Sequence, residues 1–280
     1  MREQLRDLLR GDRIKDSVRT RLTAVVTDAM GPQQRRIDEL HHELNQLRDE
    51  LRRMVPHEVN RTLHRVDDLE ERLRRDIVFA ADRASASSSA EYAAEHMPTA
   101  LLLPHPHQTL EHGLSLAPTG GMALEFGVYS GTTLKIIAAA RPDSPVFGFD
   151  SFEGLPEDWR SGFPAGTFQV DGLPEVPGAE LVVGLFDDTL PGFLEKNQGP
   201  VDLLHVDCDL YSSTVTVLTH VGPRLRAGSV VVFDEFFNFR GWQDHEAKAW
   251  QEYVDRTGTT FTFEAYTHDN EQVVVRITGV

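Results

Sequence analysis

LEFGVYSGTTL, from Leu124 to Leu134, runs from a short apolar stretch into a glycine-bearing turn and then takes on helical texture. The apolar stretch reads as a buried strand, and Gly127 and Gly131 bracket the turn that follows it. In an open parallel sheet ligands bind beyond the C-terminal ends of the strands, where a glycine lets the backbone come close to one. Glu125 and Ser130 sit in the same run. Gly131 opens the next helix, whose first amides can meet a negatively charged group. The spacing is not GxGxxG, which counts against a dinucleotide pyrophosphate.

Outward from this turn the same alternation recurs. Strands are expected at Met122–Phe126, Val146–Phe149, Ala179–Leu185, Val201–Val206 and Ser229–Phe233, with helices at Gly131–Ala140 and near Leu190–Gln198, Ser212–Arg226 and Glu246–Thr257. Thr260–Tyr266 and Gln272–Thr278, separated by His268-Asp269-Asn270, read as an antiparallel hairpin. The fold class is therefore α/β, a Rossmann-like, doubly wound and mainly parallel sheet with a C-terminal hairpin. The segment Met97–Pro118 reads as a helix or two feeding the core. Its His105, His107 and His112 are set apart by Pro104 and Pro106, which favours a pocket or lid role over metal binding.

Upstream, Ile37, Leu40, Leu44, Leu47, Leu51 and Met54 alternate three and four apart, the a/d seam of a coiled coil. Pro56 should interrupt it, and Val59, Leu63, Val66, Leu73 and Ile77 resume in a shifted phase with Glu70 on the seam. An earlier helical piece with Leu5, Leu8, Leu9, Ile14, Val18, Leu22 and Val25 should end near Gly31-Pro32. The expected domains are a helical stalk over 1–83, a flexible linker over 84–98 around ASASSSA, and a globular domain over 99–280. The stalk predicts a homo-oligomer.

Charge is unevenly divided. Residues 1–83 are nearly neutral, so nearly all of the formal net charge of −16 falls on the remainder. That repels phosphate backbones and argues against a nucleic-acid partner. The single cysteine, Cys208, excludes an internal disulfide. With neither an apolar leader nor a run long enough to span a bilayer, no membrane partner is expected and the protein reads as soluble and cytoplasmic.

Acids stand at the ends of successive expected strands. Asp150 ends VFGFD about 20 residues past the glycine turn, a position suited to ribose hydroxyls, and LVVGLFDDTL carries Asp187 and Asp188 where an adenine edge could lie. DLLHVDCDLYSS brings Asp207 and Asp209, and SVVVFDEFF brings Asp234 and Glu235. Carboxylates gathered at neighbouring strand ends repel unless protonated or bound to a cation, and oxygen donors without cysteine favour Mg²⁺, then Mn²⁺. His205, inside an apolar strand, reads as a core histidine. Tyr211 should pack under the site, and Ser212 and Ser213 should cap the next helix. Phe236, Phe237, Phe239 and Trp242 suit a substrate wall or ordinary packing equally.

Taken in order, LEFGVYSGTTL, FDSFEGLPEDW (Phe149–Trp159), HVDCDLYSST (His205–Thr214) and VVFDEF (Val231–Phe236) resemble the metal-dependent sugar O-methyltransferases of macrolide and aminocoumarin antibiotic biosynthesis, the macrocin and mycinamicin O-methyltransferase family. The resemblance runs from about Gly120 to the C-terminus and leaves out the coiled coil. It implies S-adenosylmethionine as cofactor, with Glu125, Gly127, Ser130 and Gly131 around its methionine part, Asp150 on the ribose, Ser151 beside it and Asp188 near the adenine. It further implies Asp207, Asp234 and Glu235 as ligands to Mg²⁺ or Mn²⁺, Asp209 as general base, and a hydroxyl of a small polyhydroxylated molecule as acceptor. The family usually carries two aspartates where this chain has Asp234-Glu235. A catechol-type acceptor, or a scaffold with a non-catalytic domain, are the competing expectations.

Overall fold

The computed structural model describes residues 2–280. The side chains of residues 2–14, 26 and 27 lie outside the described set, and with them the upstream positions Leu5, Leu8, Leu9 and Ile14. The chain divides into two compact units, Met1–Asp76 and Ile77–Val280.

The first unit is one helix, α1 (Arg2–Arg75). It runs through Pro32 and Pro56, where the sequence predicts breaks. Each proline removes one backbone donor, a local loss that the flanking Arg-, Glu- and Leu-rich turns, all good helix formers, outweigh. The heptad positions Ile37, Leu40, Leu44, Leu47, Leu51 and Met54 are all exposed.

The second unit contains α2 (Ile77–His96), β1 (Leu101–Leu103), α3 (Pro106–Leu116), β2 (Met122–Phe126), α4 (Thr132–Ala140), β3 (Val146–Asp150), β4 (Glu180–Val183), α5 (Phe186–Lys196), β5 (Val201–Val206), α6 (Tyr211–Val221), β6 (Val230–Phe233), α7 (Glu246–Thr257), β7 (Thr260–Thr267) and β8 (Val273–Gly279). The strands form one sheet in the order β1-β7-β8-β6-β5-β2-β3-β4. Every neighbouring pair is parallel except those made by β8, which lies antiparallel to both β6 and β7. This is the Rossmann-like, doubly wound sheet with its C-terminal hairpin. From β2 the chain winds one way through β3 and β4, then returns to the other side of β2 with β5 and β6, so the order reverses between β2 and β5 and a crevice opens at their C-terminal ends.

β2, β5 and β6 are buried along their whole length because both sheet faces are covered. One face packs Leu110 and Leu114 of α3 and Leu134 and Ile137 of α4. The other packs Leu190 and Phe193 of α5, Val217 and Leu218 of α6, and Trp250 of α7. A buried guanidinium ties the first layer together: Arg141 donates to the carbonyls of Leu114 and Ala117, both at 3.1 Å, and to that of Pro118, satisfying orphan acceptors at the end of α3.

Three sequence expectations are corrected. The flexible linker over 84–98 is instead mostly helical: ASASSSA lies in α2, with Ser85 and Ser89 buried. Small side chains that suit a linker equally allow a helix to approach its support closely. Ser89 Oγ accepts the Asn238 amide at 2.8 Å and Ser88 Oγ accepts the Trp242 indole N–H at 3.0 Å. Leu101–Leu103, read as helix, is an edge strand parallel to β7; Pro104 disfavours helical backbone at the preceding Leu103. Finally, β4 stops at Val183 and α5 begins at Phe186, so Asp187 and Asp188 occupy the first turn of a helix, where its dipole favours acids. Among the described residues no helix is long and apolar enough to cross a membrane.

Candidate functional site

The ladder between strands continues one residue past their ends. The Gly127 amide donates to Phe149 O, Asp207 to Phe126 O and Asp234 to Val206 O, each at 2.9 Å. The glycine turn and the two acids are thus level, side by side, at the crevice. Gly127 has φ 92°, and a Cβ there would stand 1.6 Å from the carbonyl oxygen of Asp207. Its glycine is therefore required first by the neighbouring strand end, a reason the motif did not reveal. At Gly131, with φ 75°, a Cβ would meet Val176 at 2.8 Å.

Asp150 clasps the glycine turn. Its Oδ2 accepts the Val128 and Tyr129 amides, both at 2.8 Å, and its Oδ1 accepts the Phe152 amide at 2.7 Å. Tyr129 and Phe152 both have positive φ, 45° and 59°, so the carboxylate holds two strained residues in place. A lone pair of Oδ1 is left for a ligand hydroxyl.

These elements enclose a cavity of about 710 Å³ lined by Gly127, Ser130, Asp150, Ser151 and Asp188 on one side and by Asp207, Asp209 and Glu235 on the other. That volume is in the usual range for a cofactor pocket. Thr132 and Thr133, from the first turn of α4, also line it, as does His107 from α3. Glu125, Gly131 and Asp234 are not among the lining residues. Glu125 is fully buried beneath the cavity and pairs with His205, Nδ1 to Oε1 at 2.8 Å.

The acids form a continuous group. Asp207, Asp234 and Glu235 each offer an oxygen within 4.8 Å of the others. Burial, reinforced by the charge of Asp234, pushes Asp207 and Glu235 well above the usual carboxylate range. Glu246, at the start of α7 and fully buried, is raised in the same way. Its Oε2 accepts the Glu235 amide at 3.0 Å, which fixes the turn after β6. Glu235 Oε2 and Glu246 Oε1 are buried without a hydrogen-bond partner. Orphaned carboxylate oxygens beside an all-oxygen triad are the donor set that suits a hard divalent cation.

Asp209 stands apart in backbone as well as in environment. It has φ 62°, is 8% exposed, and is pushed up to about 7 by burial, against the opposing charge of Arg160. Arg160 lies 3.8 Å over the Trp159 ring and donates to both carboxylate oxygens of Glu271 at 3.1 Å, pinning the segment between β3 and β4 to the β7–β8 turn.

Several neighbours take other roles than the sequence suggests. Tyr211 packs against the core and donates its hydroxyl to Glu252 at 2.6 Å. The N-cap of α6 is Leu210; Ser212 instead donates to Glu157 at 2.6 Å, and both Ser212 and Ser213 line the cavity. Phe236, Phe237, Phe239 and Trp242 are core residues that stay out of the cavity wall. Glu246 was missed because its link to Glu235 spans a loop and carries no motif. An acid opening a helix was the available signal, and it is a common one.

Residues 124–236 match a family described as a methyltransferase domain, a span that begins and ends on the two motifs bracketing the cavity. A curated relative, the 8-demethyl-8-(2,3-dimethoxy-alpha-L-rhamnosyl)-tetracenomycin-C 4'-O-methyltransferase of Streptomyces olivaceus, is 28% identical over 141 residues, 41% of this chain and 53% of the relative. The chain thus spans about half the length of the curated relative it matches. Among solved structures, the calicheamicin methyltransferase CalS11 is 25% identical with a TM-score of 0.49, covering 61% of this chain and 76% of that one. The O-methyltransferase NovP is 24% identical with a TM-score of 0.46, covering 61% and 77%. The family model and the curated relative agree with the resemblance to sugar O-methyltransferases read from the four motifs.

Proposed function

We propose that this chain, a relative of O-methyltransferases, moves the methyl group of S-adenosylmethionine to a hydroxyl of a sugar or other polyhydroxylated small molecule of natural-product biosynthesis, with the aid of Mg²⁺ or Mn²⁺. One observation carries this reading: the glycine turn and the acid group open onto a single cavity, so a donor and a hydroxyl bound against the acids would meet. Asp150, Ser151 and Asp188 would hold the nucleoside, and Gly127 and Ser130 the amino-acid end. Asp207, Asp234 and Glu235 would hold the cation, with Glu246 bracing Glu235.

The donor would offer its methyl carbon to the hydroxyl oxygen and keep the electron pair of the carbon–sulfur bond, and the hydroxyl would have to give up its proton to a group of this chain. The donor supplies the electrophilic carbon, and the cation supplies charge that acidifies and orients the hydroxyl. Asp209 takes up the proton. Without metal, burial pushes that carboxyl up to about 7, and a cation bound beside it would lower it, leaving it ionised and able to accept the proton near neutrality. Thr132 and Thr133 shape the wall on the donor side.

The excess acidity of the second unit supports a small neutral or cationic acceptor over a nucleic acid. The exposed apolar seam of α1 supports self-association of this chain.

The test is calorimetry with S-adenosylmethionine, with and without Mg²⁺, followed by mass spectrometry of sugar and catechol panels. The reading expects cofactor heat and a one-methyl gain on a sugar hydroxyl that is abolished by a chelator. Binding without any methylated product would favour the non-catalytic scaffold, methylation of catechols alone would reassign the acceptor, and no cofactor heat would overturn the proposal.

A further inference from the structure

His105, His107 and His112 stand close in sequence, and the structure gives them different work. His105 caps α3, its Nδ1 accepting the His107 amide at 3.2 Å. Of the three, His107 alone lines the cavity. Topology brings it there. Thr109, in the first turn of α3, bonds Thr267 at the C-terminal end of β7, Oγ1 to Oγ1 at 2.7 Å. β7 runs in the same direction as β5 and β6, because β8 is antiparallel to both β6 and β7. α3 therefore starts at the sheet edge where the crevice opens, on the face that it shares with α4.

The cavity divides its charge by wall. Asp150, Asp207, Asp209 and Glu235 come from the ends of β3, β5 and β6, and Asp187 and Asp188 from the first turn of α5. The wall built by α3, the glycine turn and α4 carries no acid; it offers the His107 imidazole and the hydroxyls of Ser130, Thr132 and Thr133. Among the described residues no lysine or arginine lines the cavity, which leaves His107 as the lining side chain able to bear positive charge. S-adenosylmethionine has a sulfonium, an ammonium and a carboxylate. The two cations suit the acids, whereas the carboxylate is repelled by them and requires hydrogen-bond donors. An imidazole keeps at least one N–H in either protonation state, so His107 can donate in both.

We infer that His107 receives the α-carboxylate of the methyl donor, drawing its amino-acid end to the α3–α4 wall and away from the acids. The inference rests on the donor reading given above and adds a residue that none of the four motifs contains, from a helix that precedes the family-matched span 124–236. The competing account makes His107 an exposed residue of the cavity lip that touches no part of the donor.

Calorimetry on the full chain with two probes separates them: S-adenosylmethionine, and its decarboxylated analogue, which keeps the adenosine, sulfonium and ammonium and lacks the carboxylate. The wild-type chain should bind S-adenosylmethionine more tightly than the analogue. In His107→Ala the affinity for S-adenosylmethionine should fall by about 10- to 100-fold and that for the analogue stay unchanged, so the preference disappears. His107→Lys, which restores a cationic donor, should recover most of it. Equal affinity of the wild-type chain for the two probes overturns the inference while leaving the donor reading intact, and it needs no variant to do so. A folded His107→Ala chain that weakens both probes alike, or neither, also overturns it. Absence of binding by either probe would remove the donor reading and this inference together.

Discussion

Asp209 bears two costs at one position. A non-glycine residue at φ 62° is strained by about 1–3 kcal/mol, and its carboxyl is buried among other acids. Neither cost helps the fold, which points to a role in chemistry. We expect Asp209→Asn to leave S-adenosylmethionine affinity nearly unchanged in calorimetry and to lower single-turnover rate by roughly 10²- to 10⁴-fold. The same variant reports on stability with a definite sign. The folded-state carboxyl titrates at about 7, above its unfolded value, so its contribution is complete at low pH and is lost as pH rises through 7. Asparagine cannot ionise. Its melting temperature relative to wild type, measured without metal, should therefore rise between pH 5 and pH 8. Most acids of the site were legible at this scale because each follows a recognisable strand. The pairing of His205 with Glu125 was not: an imidazole in an apolar strand has the same sequence signature whatever it pairs with, and only the register of β5 against β2 shows the partner.

At the scale of elements, the interior strands were the most readable part of the chain. β2, β5 and β6 are buried on both faces, so they must be unbroken apolar runs, and the sequence VDLLHV or VVVF admits little else. β1 escaped notice because three leucines between loop and proline suit a helix as well as a strand; its partner, β7, lies more than 150 residues away. The start of α5 was displaced because Leu185-Phe186 extends the preceding apolar run, and no side chain caps the helix to mark its beginning. α2 was misjudged for a different reason: serine-rich composition speaks for flexibility only when the hydroxyls face water. Here Ser89 satisfies the amide of Asn238. Ser89→Ala would leave that donor unpaired at a part-buried contact, and we expect a loss of about 1–3 kcal/mol in urea unfolding, with the midpoint lowered and the slope unchanged.

Of the two units of the chain, one is a nearly neutral helix and the other is strongly acidic and globular. Isolated apolar seams of this length are seldom left in water, and deleting residues 2–75 should lower the mass of the particle, measured by light scattering, to that of a single truncated chain while cofactor heat persists. An unchanged number of chains per particle would place association elsewhere. The acidic unit carries its own instability. Asp207, Glu235 and Glu246 are all raised by burial, so in the absence of metal their joint contribution favours folding at low pH and fades as pH climbs. Adding Mg²⁺ should accordingly raise the melting temperature more at pH 8 than at pH 5.5, in a scan against a chelator control; equal shifts at the two pH values would argue that these acids do not share the ion.

Gly127 has no room for even one carbon between its own backbone and that of Asp207. Whatever settles the glycine turn thereby settles the acid-bearing turn against it, with no compressible layer to absorb the movement. On the proposed reading the two ligands would share one ordering cost: each should tighten the other's hold, by the same factor in both directions.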